Sequence, residues 1–264
     1  SLRHPMVTAA AIATLVGLVG EQRVVMGAGT GFTGRRAMGQ KPLSWKNFPA
    51  MVGQVQALLR GEDVEIDGEL TRMLHWPGQA VDRPINVPWI FGVNGPRGLK
   101  AAAQAGCGVF TSRPRPDADY SNIDDVVLLA FGTILDDAET VNSQRVIDTA
   151  GPGAAVAYHA FLEQRDPRLE GFPNAKRFLE LAKAIPLETR HLELHCGHLT
   201  ELNSIDRQVI TGEAMSIPPL TCHAAELPGR LERLAEQGIT DVAFQPMGDI
   251  ERELRTFAAA AKLV

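Results

Sequence analysis

The sequence predicts an α/β protein built on a parallel sheet, and three observations point there. Short apolar runs alternate with helical segments along the chain. Several of these runs are continuous rather than alternating, as in strands covered on both faces. Glycine-rich or Asn-Gly bends follow the strands, an arrangement that presents backbone N–H groups to a ligand. The 264 residues are 45% hydrophobic and 22% charged, the balance of a globular protein. A net charge of −5 argues against nucleic acid or an anionic membrane as main partner and for a cytoplasmic protein. Cys107, Cys196 and Cys222 are scattered and contain no C-x-x-C, so neither a disulfide framework nor an oxidising compartment is expected.

Met6 to Val19 is the most apolar run, too short to span a bilayer. With Pro5 in the first turn and Gly20 as stop, it reads as a helix apolar nearly all round, packed on both sides. Val24 to Ala28 is a strand, followed by the glycine loop of RVVMGAGTGFTGRRAMG. Ser44 is an N-cap for a helix from Trp45 to Arg60, stopped by Gly61. Val64 to Leu70 reads as a hairpin turning at Asp67-Gly68, and Thr71 to Arg83 as a loop. Val87 to Val93 is a strand bent by Asn94-Gly95-Pro96 into the helix Arg97 to Ala105. Cys107 to Thr111 and Asp125 to Leu135 are further strands. Gln144 to Glu163 is a helix interrupted by Gly151-Pro152-Gly153, and Asn174 to Ala184 another. Arg190 to Leu202 is irregular, Glu226 to Gln237 helical, Asp241 to Pro246 the fifth strand, and Ile250 to Lys262 the closing helix. No repeat or linker interrupts the chain, so one domain over 1–264 is expected. Five strand–helix units behind a leading helix fall short of the eight that close a (β/α)8 barrel.

Four groups of residues have the chemistry of sites. Gly27, Gly29, Thr30 and Gly31 follow a strand and allow close backbone approach, although a tight turn needs the same glycines. Their spacing matches neither a Walker A loop nor G-x-G-x-x-G. Asn94-Gly95-Pro96-Arg97 opens a helix and Thr111-Ser112 ends the next strand, a combination suited to phosphate and equally to plain helix initiation. His191, His195 and His198 stand at i, i+4 and i+7, with His159 and Cys196 as further candidates. Gly197 weakens that helix and no H-E-x-x-H is present, so no metal is assigned; His195 and His198 are retained as candidate proton donors. Arg35, Arg36 and Lys41 are suited to an anionic cofactor tail or to a solvated surface. No G-x-S-x-G supports a hydrolase.

RHPMVTAAAIATL, RVVMGAGTG, ALLRGEDVEIDG, VPWIFGVNGPRGLKAAAQAGCGVFTS and ELPGRLERLAEQGITDVAFQP, in that order, resemble the bacterial luciferase-like monooxygenase family. The resemblance is looser from about Asp117 to Ser216, which reads as an insertion-rich region. It implies a (β/α)8 TIM barrel binding FMN or coenzyme F420 at the C-terminal mouth. In the family, HP-x-x-x-A follows the third barrel strand; here it begins at His4. The expectation is therefore a barrel whose first three or so strands, roughly sixty to eighty residues, are absent from this chain.

The GTG at Thr30 and the NGP and TS pair resemble the branch dependent on coenzyme F420. The resemblance thus implies Gly29, Thr30, Gly31, Asn94, Gly95 and Thr111 as cofactor-binding residues, with coenzyme F420 favoured over FMN. Phe32 stands where a sugar-phosphate dehydrogenase of that branch carries a catalytic Glu, which implies a more apolar substrate. Phe32, His75 and Trp76 are the candidate substrate-pocket residues. The expected reaction is hydride transfer on a small organic substrate. The alternatives are an FMN-dependent flavoprotein monooxygenase served by a flavin reductase, and a non-catalytic cofactor-binding paralogue. The family commonly forms homodimers.

Overall fold

A computed structural model of the chain describes residues 1–76, 78–113 and 118–262; Asp117, where the insertion was placed, lies outside the described residues. The chain packs as two compact units, Ser1–Leu128 with Gly238–Asp241, and Leu129–Gln237 with Val242–Val264.

In the first unit α1 (Pro5–Val19) starts on His4, whose Nδ1 accepts the Met6 N–H at 3.1 Å, with Pro5 in the first turn where no N–H is needed. One face is buried through Ala9, Ile12, Ala13 and Val16, while Val7, Leu15 and Leu18 are exposed. The expectation of packing on both sides is corrected accordingly: apolar composition all round did not translate into contacts all round. β1 (Met26–Gly29) leads into α2 (Phe32–Ala37), a short helix the glycine-rich sequence concealed. In α3 (Asn47–Arg60), the Ser44 Oγ accepts the Asn47 N–H at 3.2 Å, and Gly61 caps the end at φ +82°.

The hairpin β2 (Val64–Ile66) and β3 (Glu69–Thr71) turns on Asp67 and Gly68, both at positive φ, which matches the right-handed strand twist. β4 (Trp89–Gly92), α4 (Pro96–Ala105), β5 (Gly108–Thr111) and β6 (Val126–Ala130) follow. β1, β4, β5 and β6 pair in parallel in that order, with Gly29 opposite Gly92 and Gly92 opposite Phe110. Phe48 of α3 packs edge-on against Phe91 of β4 at 4.8 Å between ring centroids, both fully buried.

In the second unit the expected strand Asp125–Leu135 is broken: β7 (Ile134–Leu135) is separate from β6 and pairs with β8 (Cys222–His223). The reason is Gly132, at φ +150°, where a Cβ would stand 2.2 Å from the Leu220 carbonyl carbon. α5 (Gln144–Gln164) runs through Gly151-Pro152-Gly153 without a break. These residues serve packing, since a Cβ at Gly153 would meet the Phe131 Cβ at 2.5 Å; tertiary contact overrides the helix-breaking signal.

α6 (Ala175–Ala184), α7 (Arg190–Glu193) and α8 (Asp206–Val209) cover a core of Tyr158, Phe161, Phe178, Leu194 and Met215. α9 (Leu227–Glu236), β9 (Asp241–Phe244) and α10 (Ile250–Ala260) complete the chain. β9 is next to β6, making five parallel strands in the order β1-β4-β5-β6-β9, the number the sequence predicted. Glu253 of α10 is 1% exposed and accepts from Thr133 (2.7 Å), Arg145 (3.2 Å) and Arg252 (2.6 Å).

Candidate functional site

Because β1, β4 and β5 are parallel neighbours in register, the bends leaving them gather at one end of the first unit's sheet. The topology therefore brings Gly29, Thr30 and Gly31 to the same edge as Asn94, Gly95 and Thr111. Asn94 organises the second half. Its Oδ1 accepts from the Thr111 hydroxyl at 3.0 Å, the Ser112 N–H at 3.0 Å and the Ser112 hydroxyl at 3.2 Å. One amide oxygen thus joins two consecutive strand ends. Ser112, named with Thr111 as suited to phosphate but not among the expected cofactor-binding residues, is thus tied to Asn94 as well. Thr111 is buried and Asn94 exposed, so the link runs from the core to the rim.

On the first bend Gly31 sits at φ +80° as the N-cap of α2, a backbone conformation that β-carbon-bearing residues resist. Behind it Arg35 is committed to structure: Nε donates to the Lys41 carbonyl at 2.7 Å and NH1 to the Ser1 carbonyl at 2.6 Å. The Arg36 guanidinium lies 4.6 Å from the Phe32 ring centroid.

Two features of this edge suit an anionic ligand. A Cβ at Gly27, Gly29 or Gly95 would meet nothing within 4 Å, so a ligand has room to reach the main chain there. No side chain caps α4 at Gly95. The local charge is also one-sided. Every ionisable side chain in 29–41, 93–100 and 110–113 is cationic: Arg35, Arg36, Lys41, Arg97, Lys100 and Arg113. That concentration, in a chain of net charge −5, favours a phosphate-bearing cofactor.

The predicted substrate pocket does not assemble. Phe32 belongs to α2 beside the first bend. His75 and Trp76 instead line a cavity of about 370 Å³ with Arg60, Gly61, Val81 and Arg83, at the C-terminal end of α3. The Ile85 N–H donates to the Leu59 carbonyl at 3.0 Å, placing that helix end next to the approach to β4. His75 and Trp76 thus lie toward the N-terminal ends of the strands, opposite the glycine bends. Trp76 is 74% exposed. The sequence placed the three in one pocket because their types suit a flat ring; chain direction separates them.

In the second unit His195 and His198 come together with His159 rather than with His191. The Nδ1 atoms of His195 and His198 are 3.2 Å apart, and the ring centroids of His159 and His195 5.5 Å. His195 Nε2 pairs with Glu163 Oε1 at 2.7 Å, and His159 Nε2 with Asp206 Oδ1 at 2.9 Å. Burial, reinforced by the neighbouring His195 and His159, lowers the His198 pKa to about 4 and keeps it neutral. Gly197, read as a weakness in a helix, instead turns the chain at φ +72° between the two ligand-type histidines. The sequence groups His195 and His198 by spacing and keeps His159 as a further candidate; the i, i+4 spacing of His159 and Glu163 is a signal that grouping does not use.

The family model for luciferase-like monooxygenase matches residues 1–171. A comparison with curated proteins finds no significant match. Among solved structures, the chain is similar to the coenzyme F420-dependent tetrahydromethanopterin reductase from Methanopyrus kandleri. That match has 16% identity over 99% of this chain and 80% of the other, with a TM-score of 0.60. An F420-dependent secondary alcohol dehydrogenase matches at 14% identity, 98% and 76% coverage and TM-score 0.59. The monooxygenase RslO1 from Streptomyces bottropensis matches at 15% identity, 98% and 73% coverage and TM-score 0.51. At such identities the likeness is one of fold. Among the described residues no helix is long and apolar enough to cross a membrane. The family match, covering more than half of the chain and including both glycine bends and the Asn94–Thr111 link, makes this protein a member of the luciferase-like monooxygenase family, whose members are oxidoreductases.

Proposed function

We propose that this chain is an oxidoreductase that binds a phosphate-bearing flavin or deazaflavin, coenzyme F420 before FMN, and acts by hydride transfer on a small organic substrate. One observation carries the reading: the ends of three adjacent parallel strands bear only cations among their ionisable side chains, and two of them present open glycine backbone, at Gly29 and Gly95. The open positions at Gly29 and Gly95 accommodate a group laid against the main chain, so the residues fit the cofactor. Gly29, Thr30 and Gly31 would hold its ring and proximal chain. Asn94, Gly95 and Thr111, with Ser112, would hold its phosphate. When bound, the cofactor supplies the hydride chemistry. The protein's part is to fix and orient it and to complement its charge. Phe32, beside the first bend, gives the substrate side an apolar group in place of a carboxylate. The names of two structural neighbours, both F420-dependent, support the order of preference.

The second reading is an FMN-dependent monooxygenase supplied with reduced flavin by a separate reductase, favoured by the likeness to RslO1. Fluorescence titration of both cofactors onto the full chain decides between them. Tighter binding of coenzyme F420 by tenfold or more is expected. A preference for FMN selects the second reading, and binding of neither refutes both.

A further inference from the structure

We infer that His159, His195 and His198 form a divalent transition-metal site of the zinc class, joining α5 to the turn-rich segment between α7 and α8. The inference is independent of the cofactor reading. Each histidine offers one nitrogen, and the three lie within 4.8 Å of one another. The Nδ1–Nδ1 separation of 3.2 Å between His195 and His198 matches the edge of a zinc tetrahedron, about 3.3 Å for Zn–N bonds of roughly 2.05 Å.

The tautomers are set from behind. Nε2 of His195 donates to Glu163, and Nε2 of His159 to Asp206, so both histidines carry their proton away from the centre. Their Nδ1 lone pairs are left for a metal. This is the carboxylate–histidine–metal arrangement, in which a buried acid orients the ligand ring and raises its basicity.

His159 supplies the independent sign that something is missing. It is 3% exposed, and its Nδ1 is buried without a hydrogen-bond partner, which costs stability in a closed polar site. The side chains of Asp206 and Glu163 are only 2% and 9% exposed. A dication among three neutral imidazoles balances these two carboxylates, leaving the cluster with no net charge. The three ligands come from two segments, and His191, which the spacing groups with His195 and His198, is not among them.

The test uses the full chain, stripped with chelator and titrated with Zn²⁺ and with Co²⁺. Expected are about one metal per chain by elemental analysis, the intense visible band of tetrahedral Co²⁺, and a rise of about 5 °C or more in Tm at saturating Zn²⁺. His198→Gln should abolish stoichiometric binding. His159→Ala is avoided because that site is in the core. Glu163→Gln keeps all three ligands and should weaken binding about ten- to a hundredfold. Absence of stoichiometric Zn²⁺ or Co²⁺ binding overturns the inference. So does binding unchanged in both variants, or binding that is lost instead in Cys196→Ala, since Cys196 is the exposed thiol next to the cluster.

Discussion

Asn94→Asp separates the two roles the structure gives Asn94, ordering the strand ends and facing an anion. The substitution is nearly isosteric and keeps an acceptor for Thr111 and for the Ser112 N–H and hydroxyl. It adds one negative charge where the cofactor phosphate is placed. For unit charges about 5 Å apart the repulsion is about 0.8 kcal/mol at the dielectric of water and about 3 kcal/mol at an effective dielectric near 20. Asn94 is exposed, so the lower half of that range applies, about 1–2 kcal/mol, or roughly a five- to thirtyfold rise in Kd. Because the Debye length falls from about 10 Å at 0.1 M salt to about 3 Å at 1 M, most of this penalty should vanish in high salt. Asn94→Ala has the opposite profile: it removes the shared acceptor, loosens Thr111 and Ser112, and weakens binding by a similar amount at every salt concentration. Fluorescence titration of coenzyme F420 and FMN at both ionic strengths reads the difference. If Asn94→Asp binds as the wild type does in low salt, or shows the salt-independent loss of Asn94→Ala, no phosphate lies beside Asn94.

Gly31→Ala should weaken cofactor binding more than tenfold with little change in secondary structure by circular dichroism. Its Cβ would stand 2.7 Å from Arg35 Cγ at φ +80°, a strain of about 1–2 kcal/mol; unaltered affinity would detach the bend from the site. Glu253→Ala should destabilise the second unit by about 3–5 kcal/mol, because Arg145, Arg252 and Thr133 all lose a buried partner. Trp45, Trp76 and Trp89 all belong to the first unit, so hydrogen exchange in α5 and α10 is the proper readout, and a loss under about 1 kcal/mol contradicts the argument. The hydrogen bond from Arg145 lowers the Glu139 pKa to about 2 from 4.5. Its stabilisation is therefore complete above about pH 4.5 and disappears as pH falls toward 2, where the unfolded chain binds the extra proton first. After allowance for solvent screening this is about 2 kcal/mol, and Glu139→Gln should flatten the stability profile across that window.

What was legible in the sequence was what is decided locally. β4 and β5 announced themselves as continuous apolar runs, and the hairpin turned at Asp67-Gly68 because both positions need positive φ. His4-Pro5, Ser44 and Gly61 mark helix ends as their chemistry requires. The errors lie where a distant segment decides. Gly132 breaks a strand because Leu220 presses against it, and Gly153 stays helical because Phe131 needs the space. The same limit explains the sites. Two bends on adjacent strands could be matched from sequence, since parallel order fixes which ends meet. Nothing local told that His159 would face His195, or that His75 and Trp76 would sit at the opposite ends of the strands from Phe32.

The charge around the bends also constrains the division of labour in the proposed reaction. The segments 29–41, 93–100 and 110–113 contain six cations and no carboxylate, so they offer no general base among the residues that would touch the cofactor. Arg35 is fully engaged by two carbonyls, and Arg36 covers Phe32, so neither is placed as a mobile proton donor. An edge built in this way can bind and orient an anionic cofactor and lower its electrostatic cost of burial, but it cannot itself take a proton from an alcohol. The proposed hydride chemistry then places the proton-handling group outside these three loops. A pH profile of turnover should accordingly be unchanged in form by Asn94→Ala, Gly31→Ala or Thr111→Val, even as Kd for the cofactor rises. A shifted pKa in the profile of any of them would mean that the bends carry acid–base chemistry as well as binding.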